Sequence, residues 1–580
     1  MRPGRKLARP SVRPRLFAAA YPPLVLAALL ALASCAGSGG GKKAAMPPAR
    51  PAAAATTAAT AAKAVQWQHE WARGAVFYEV FVRSFADSDG DGKGDLKGLI
   101  AKLDYLNTGD PSSTGDLKVD ALWLMPVFVS PSYHGYDTTD YEHINPDYGT
   151  DADFATLCRE AHRRGIRIIV DLVVNHTGSA HPWFLESSSS LTSPKRDWYV
   201  WRADDPGWTQ PWGGSYPTWH EKGGMYFYGV FWAGMPDLNL RNPAVRTEIE
   251  RIAGLWLERG ADGFRLDAAR HLVENGPGQL QVDQPETHAF WREFAATVRS
   301  ARPDAVLVGE NWTDTDTIAT YYGSTASVAG GDELPMNFDF PLADAIVRGV
   351  KAGDGSLIAA KLAEIQRSYP AGVIDTPFLT NHDQVRLATQ LGTDRGREAS
   401  AAAVLLTLPG APFLYYGEEV GLRNGGPGGD DRLKRTPMPW DGSERGGFTS
   451  ATPWFPFAPG QQTDNVAVES GDPASLLARY RALIRARHAS AALRTGDLEL
   501  LGSLTQPSPV LAFVRAVKGE KVLVAHNLGD ATAIGGPYAV SASAVEATVF
   551  ADADAAPPAV AARAWTVTLP PHATGIWRLH

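Results

Sequence analysis

Ala261-Asp262-Gly263-Phe264-Arg265-Leu266-Asp267-Ala268-Ala269-Arg270-His271 reads as a short buried strand that ends on a carboxylate and runs into a polar, helical segment. Phe264 and Leu266 alternate around Arg265, which is the period of a strand. A strand whose C-terminal tip carries an acid, flanked by helices, is the arrangement found at the mouth of a (β/α) barrel, where catalytic groups sit. Arg265 lies two residues before Asp267, so both side chains leave the strand on one face. A guanidinium beside a carboxylate keeps it ionised, and an ionised carboxylate can act as a nucleophile. An Arg–Asp pair also closes strand ends for purely structural reasons, so the meaning of this stretch depends on the rest of the chain.

Working outward, short β-branched or aromatic runs alternate with longer amphipathic segments, the pattern of βα units. Strands are expected near 76–83, 121–126, 166–175, 262–267, 306–310, 336–340, 373–381 and 412–417, which makes the eight a closed barrel needs. Segments such as 151–164 and 287–301 have helical spacing. The interval after the third strand is far longer than the others and rich in Trp, Tyr, Gly and Pro; an unpatterned loop of that length is usually functional. The expectation is therefore an α/β fold: a (β/α)8 TIM barrel over 71–176 and 241–485, with a subdomain inserted at 177–240. A C-terminal antiparallel β-sandwich is expected over 486–580, where strands alternate with turns such as Asn527-Leu528-Gly529-Asp530.

The 580 residues are too many for one ordinary domain, and 44% hydrophobic with 20% charged residues is the balance of a globular protein. A net charge of −8 speaks against nucleic acid as a partner. Residues 1–34 have a basic start, an apolar run and then small residues, the pattern of a secretion signal. Leu32-Ala33-Ser34-Cys35 resembles a bacterial lipobox, which implies an exported lipoprotein held to a membrane through Cys35. The Gly-, Ala- and Pro-rich residues 35–70 read as a flexible tether. Cys158, the only other cysteine, is expected as a buried helix residue.

Three expected strand ends carry acids in the same sense: Asp267, Glu310 in Val308-Gly309-Glu310-Asn311-Trp312, and Asp383 in Leu379-Thr380-Asn381-His382-Asp383. On a closed barrel these tips converge. Two carboxyls about 5 Å apart, one nucleophile and one proton donor, make the retaining glycosidase machine. A third acid nearby raises the pKa of the least solvated of them, here expected to be Glu310. His176 and His382, also at strand ends, can donate hydrogen bonds to sugar hydroxyls.

Taken together, these motifs resemble those of the α-amylase family, glycoside hydrolase family 13. The segments Asp171–His176, Gly263–His271, Val308–Asn311 and Phe378–Asp383 stand in the family's order, with Met235-Pro236-Asp237-Leu238-Asn239 as an auxiliary one. The resemblance implies that Asp267 is the nucleophile, that Glu310 is the acid and then the base, and that Asp383 holds the distorted sugar. It also implies that Arg265 keeps Asp267 ionised and that His176 and His382 bind the sugar on which Tyr136, followed by Asp137, stacks. Arg270 and His271 resemble the pair with which α-amylases grip the leaving side of the chain.

In Asp87-Ser88-Asp89-Gly90-Asp91-Gly92-Lys93-Gly94-Asp95, oxygen ligands alternate around tight glycines, a spacing that suits Ca²⁺. Gly98 stands where an EF-hand needs its bidentate Glu, so this is not an EF-hand. The loop resembles the calcium loop of the family's α-glucosidase-like branch, which implies ligation by Asp87, Asp89, Asp91, the Lys93 carbonyl and Asp95. The expected activity is that of an α-amylase on α-1,4-glucans and maltooligosaccharides, acting as a monomer. α-Glucosidase or oligo-1,6-glucosidase, cyclomaltodextrinase or neopullulanase, and trehalose synthase or glucan transferase use the same residues and stay open.

Overall fold

The computed structural model describes residues 64–561 and 564–580. The leader and Cys35 lie outside the described residues.

Eight parallel strands run Phe77–Val80 (β1), Ala121–Leu124 (β2), Arg167–Leu172 (β3), Gly263–Leu266 (β4), Val306–Gly309 (β5), Met336–Phe338 (β6), Ile374–Thr376 (β7) and Phe413–Tyr415 (β8). Each pairs with the next as far as β7, and β1 pairs with β8. A parallel bridge between Phe378 and Phe413 closes the remaining seam, giving the expected barrel. The strands are shorter than expected, chiefly at their C-terminal ends. Pro377 follows β7 and has no N–H to donate, so the ladder stops and residues 377–381 run as loop to the mouth.

Alternation along the strands sorts the core. Phe77, Trp123, Ile169, Val308, Met336 and Phe413 belong to the cluster that fills the barrel. Leu122, Val170, Phe264, Leu266 and Leu414 belong to the larger cluster outside it, with helices Asp151–Arg163 (α1), Pro243–Glu258 (α2) and Pro285–Ala301 (α3). In β4 this leaves Gly263 and Arg265 on the inner face. A Cβ at Gly263 would lie 2.1 Å from the Val306 carbonyl oxygen, so only glycine lets β4 and β5 pair here. α1 opens on a capping box, Thr150 with Asp153, worth roughly 1 kcal/mol, and buries Cys158 as expected.

The insert after β3 forms a three-stranded antiparallel sheet, Trp201–Arg202, Trp219–Lys222 and Met225–Tyr228. The C-terminal domain has two antiparallel sheets, of five and three strands. Val514 and Leu523 of one pack with Trp565 and Val567 of the other, as in a sandwich.

Three expectations need correction. The tether does not extend to residue 70, because Trp67 donates to the Gly331 carbonyl at 3.0 Å and Gln68 N–H to that of Pro303 at 2.7 Å, fastening this segment to the barrel. Residue 486 is not a domain boundary but lies inside helix Leu476–Ala489; the first C-terminal strand is Asp497–Leu501. The segment after Asp267 is a turn rather than a helix, and Ala268 adopts a left-handed φ of 49° in it.

Candidate active site

The tips of β3, β4, β5 and the loop after β7 meet around one side chain, Arg265, which is fully buried over the Trp123 ring. Its Nη1 donates to Asp267 Oδ1 at 2.6 Å and to both Asp171 oxygens at 3.0 Å. Its Nη2 lies 2.8 Å from Glu310 Oε2. Asp267 and Glu310 therefore sit on the two ends of one guanidinium, a short separation in keeping with the retaining value of about 5 Å. The Ala268 N–H also donates to Glu310 Oε2, at 3.0 Å. The left-handed backbone at Ala268, a strained geometry for alanine, places that N–H directly after Asp267.

The environments of the three acids differ. Burial pushes the Glu310 carboxyl up to about 7, and Asp267 and Asp383 add to that rise against the pull of Arg265. Asp383 goes the other way: burial disfavours its charge, but His382 and Arg435 hold it far below the usual carboxylate range. Arg435 Nη2 donates to Asp383 Oδ1 at 2.8 Å, and 34% of the Asp383 side chain stays exposed at the mouth. One protonated and one firmly ionised acid beside Asp267 can divide the work of glycosidic cleavage.

His382 is buried between Asp383 and Glu79, and its ring stacks on Tyr136 at 5.5 Å. The Tyr136 hydroxyl donates to Asp171 at 3.0 Å. Asp137 accepts from Ser130 and Ser132, which tie its carboxylate into its own loop. His176 is buried, burial keeps its pKa below the ordinary imidazole value, and its Nε2 has no partner among the described residues.

The structure differs from expectation at Arg270. Its guanidinium pairs with Asp283 and donates to the Trp312 carbonyl at 2.9 Å, so it braces the Trp312 loop instead of presenting free donors. His271 is half-buried beside the insert, with the rings of Trp212 at 5.4 Å and Phe231 at 5.9 Å. Trp212, Trp232 and Trp312 are exposed, and Trp312 stacks on Phe340 at 4.6 Å; such flat, half-wet faces suit sugar rings.

Sequence reasoning missed three parts of this site: Glu79, Arg435, and Lys434, whose ammonium donates to the Asp383 carbonyl at 2.8 Å. Glu79 sits inside a strand that otherwise reads as core, and the other two follow a Gly-rich loop with no pattern of its own.

Of the expected calcium loop, Asp87, Asp89 and Asp95 bring carboxylate oxygens within 4.8 Å of one another. That donor set, all hard oxygen, fits Ca²⁺. Asp91 is not among them: it accepts from the Lys93 N–H at 2.7 Å, and the Lys93 ammonium reaches Asp147 at 2.7 Å. Between barrel and insert, Asn175 Oδ1 and Asp237 Oδ2 are buried without partners among the described residues. A groove of about 760 Å³ lies away from the acids between helix Arg395–Thr407, helix Leu476–Ala489 and the C-terminal domain. Four of the charged groups that line it are paired, Arg395 with Glu469 and Arg479 with Asp552.

Comparison with known proteins agrees with this geometry. Residues 79–496 match the family described as alpha amylase, catalytic domain. The chain is 42% identical over 464 residues to alpha-amylase 3 of Dictyoglomus thermophilum, covering 79% of this chain and 85% of that one. It is 36% identical over 503 residues to a trehalose synthase of Pimelobacter, covering 78% and 85% respectively. Among solved structures, an α-amylase from H. orenii superposes with a TM-score of 0.77 at 38% identity, over 88% of this chain and all (100%) of that one.

Proposed function

We propose that this chain, which belongs to the α-amylase family of glycoside hydrolases, is an α-amylase that cleaves α-1,4-glucosidic bonds of starch and maltooligosaccharides with retention. The observation that carries the reading is the shared guanidinium: Asp267 and Glu310 lie on one Arg265, and Glu310 keeps its proton near neutral pH. Asp267 attacks the anomeric carbon while Glu310 protonates the departing glycosidic oxygen, which leaves a β-glucosyl enzyme. Glu310, now a carboxylate, takes a proton from water, and the water displaces Asp267 from the face the leaving group left. Two inversions return the α-anomer. Asp383 holds sugar hydroxyls at the mouth with the buried His382 behind it, and Tyr136 supplies a ring face.

The similarity to an α-amylase of 42% identity supports hydrolysis of glucans, and the exposed Trp212 and Trp312 offer places for sugars beyond the bond that is cut. The 36% identity to a trehalose synthase favours a second reading, transfer of the glucosyl group within maltose. Product time courses from soluble starch, maltotriose, pullulan, cyclodextrin and maltose separate the two. Mixed α-maltooligosaccharides early in starch digestion support the amylase. Trehalose from maltose, or glucose as the sole first product, overturns it.

In this reading Ca²⁺ would be held by Asp87, Asp89 and Asp95 and would tie the loop after β1 together, away from the reacting atoms. The enzyme would be exported and anchored through a lipidated Cys35. Detergent phase partitioning of the full chain and of Cys35→Ser tests this, and a parent protein that enters the aqueous phase refutes it.

A further inference from the structure

The imidazole of His382 is fully buried and has a carboxylate at each nitrogen. Nδ1 lies 2.6 Å from Glu79 Oε1, and Nε2 lies 3.1 Å from Asp383 Oδ2 and 2.7 Å from the Tyr136 hydroxyl. A neutral imidazole carries one N–H and one bare lone pair. A bare Nδ1 would turn its lone pair onto the Glu79 carboxylate. A bare Nε2 would face Asp383 and could accept from the Tyr136 hydroxyl only by taking that hydroxyl from Asp171, to which it donates. Only a ring protonated at both nitrogens satisfies both neighbours. The ring cannot turn away, because it stacks on Tyr136 and meets the Trp123 edge at 5.6 Å.

We propose that Glu79 is a positioning residue of the catalytic site, one that holds His382 as an imidazolium facing Asp383 and the sugar. The proposal rests on the glycosidase reading for its purpose but not for its geometry. Glu79 stands on β1, at the bottom of the mouth, where it reaches no substrate. Through His382 it sets a fixed cation beside Asp383, and that cation keeps Asp383 ionised to accept from sugar hydroxyls. The same proton state orders a chain: His382 Nε2–H donates to the Tyr136 oxygen, and Tyr136 O–H donates to Asp171.

The other charges around the ring are Arg435, which donates to the His382 carbonyl at 3.1 Å, and Asp171 and Arg265 behind Tyr136. Burial alone would lower the pKa of His382, but Asp383 and Glu79 together lift it to about 9. Asp383 is common to every glycosidase role considered above. Glu79 is the carboxylate left to act through the histidine alone.

The test is the protonation state of His382 in the full enzyme labelled with ¹⁵N-histidine, with its resonances assigned by comparison with His382→Asn. Both ring nitrogens should carry protons at pH 7.5. In Glu79→Gln the amide oxygen can still accept from Nδ1–H and hold the ring, yet the charge is gone, so His382 should bind its proton about tenfold more weakly. kcat should fall in that variant by more than KM rises. A single protonated nitrogen in the parent, or an unchanged titration in Glu79→Gln, overturns the proposal. These spectra need no substrate, so they decide the proposal even if the product analysis refutes the amylase.

Discussion

Arg265 and Asp267, two residues apart at the tip of β4, are joined by a hydrogen bond of 2.6 Å. The strand period puts both on the inner face, and the same guanidinium reaches Glu310 on the neighbouring strand. The proposed nucleophile is thus held by a cation that its own strand supplies. Asp267→Asn keeps the shape and an oxygen for Arg265 but cannot form the glycosyl ester. Turnover should drop by at least about a thousandfold, with the melting curve close to the parent's. Activity within tenfold of the parent, with the same products, counts against Asp267 as nucleophile.

Much of this was legible in the sequence, because a barrel turns linear spacing into convergence. Once Asp267, Glu310 and Asp383 each follow a strand, closure alone brings them to one mouth. What the sequence did not show is what loops and long-range packing decide. Arg435 reaches Asp383 from an irregular stretch with no periodicity to place it. Glu79 reads as a β residue like its neighbours until His382 packs against it. Arg270 was expected at the leaving side; its partner Asp283 comes from a loop whose course no local pattern reveals. The turn at Ala268 replaced an expected helix because the backbone there serves Glu310.

The pH dependence follows from Glu310. Its proton is needed for the first step, and burial raises its pKa from 4.5 to about 7. Activity should fall as pH rises through that value, and Glu310→Gln should lose that limb along with most turnover. The sign for stability is the same. The folded state binds this proton more tightly than the unfolded chain, so the contribution is full below 4.5 and is lost as pH rises through 7. Melting temperatures of parent and Glu310→Gln across that range check it: the parent should lose more than the variant.

Calcium at the loop after β1 should act on stability rather than on chemistry. Asp95 also caps helix Leu96–Ala101 through the Gly98 N–H, and Asp87 accepts from three backbone N–H groups, so neither is a clean probe. Asp89 is exposed and accepts from the Asp91 N–H at 3.1 Å. Chelation should lower the melting temperature of the parent, as removal of any ligand bound to the native state must. Asp89→Asn should be less stable and indifferent to chelator, with kcat at the permissive temperature unchanged. A parent melting curve that chelator does not move would mark the loop as an acidic turn.

The remaining prediction concerns how a long glucan is gripped. Trp312 follows Glu310 by two residues, is 51% exposed, and stacks on Phe340. Its carbonyl is held by Arg270, which Asp283 fixes in turn, and Tyr321 donates to Asp283 at 2.7 Å. In the proposed function, Arg270 would therefore act on the substrate through the Trp312 loop. Binding energy from sugars remote from the reacting bond serves to orient that bond, so loss of the brace should weigh on substrates long enough to reach the loop. Arg270→Ala should lower kcat/KM for starch and maltoheptaose about tenfold more than for maltotriose, a difference of about 1.4 kcal/mol in transition-state binding. Trp312→Ala should reproduce that pattern, and the double variant should be little worse than either single one, because both remove the same platform. Additive losses, or equal losses on short and long substrates, would show that Arg270 serves the fold and not the grip.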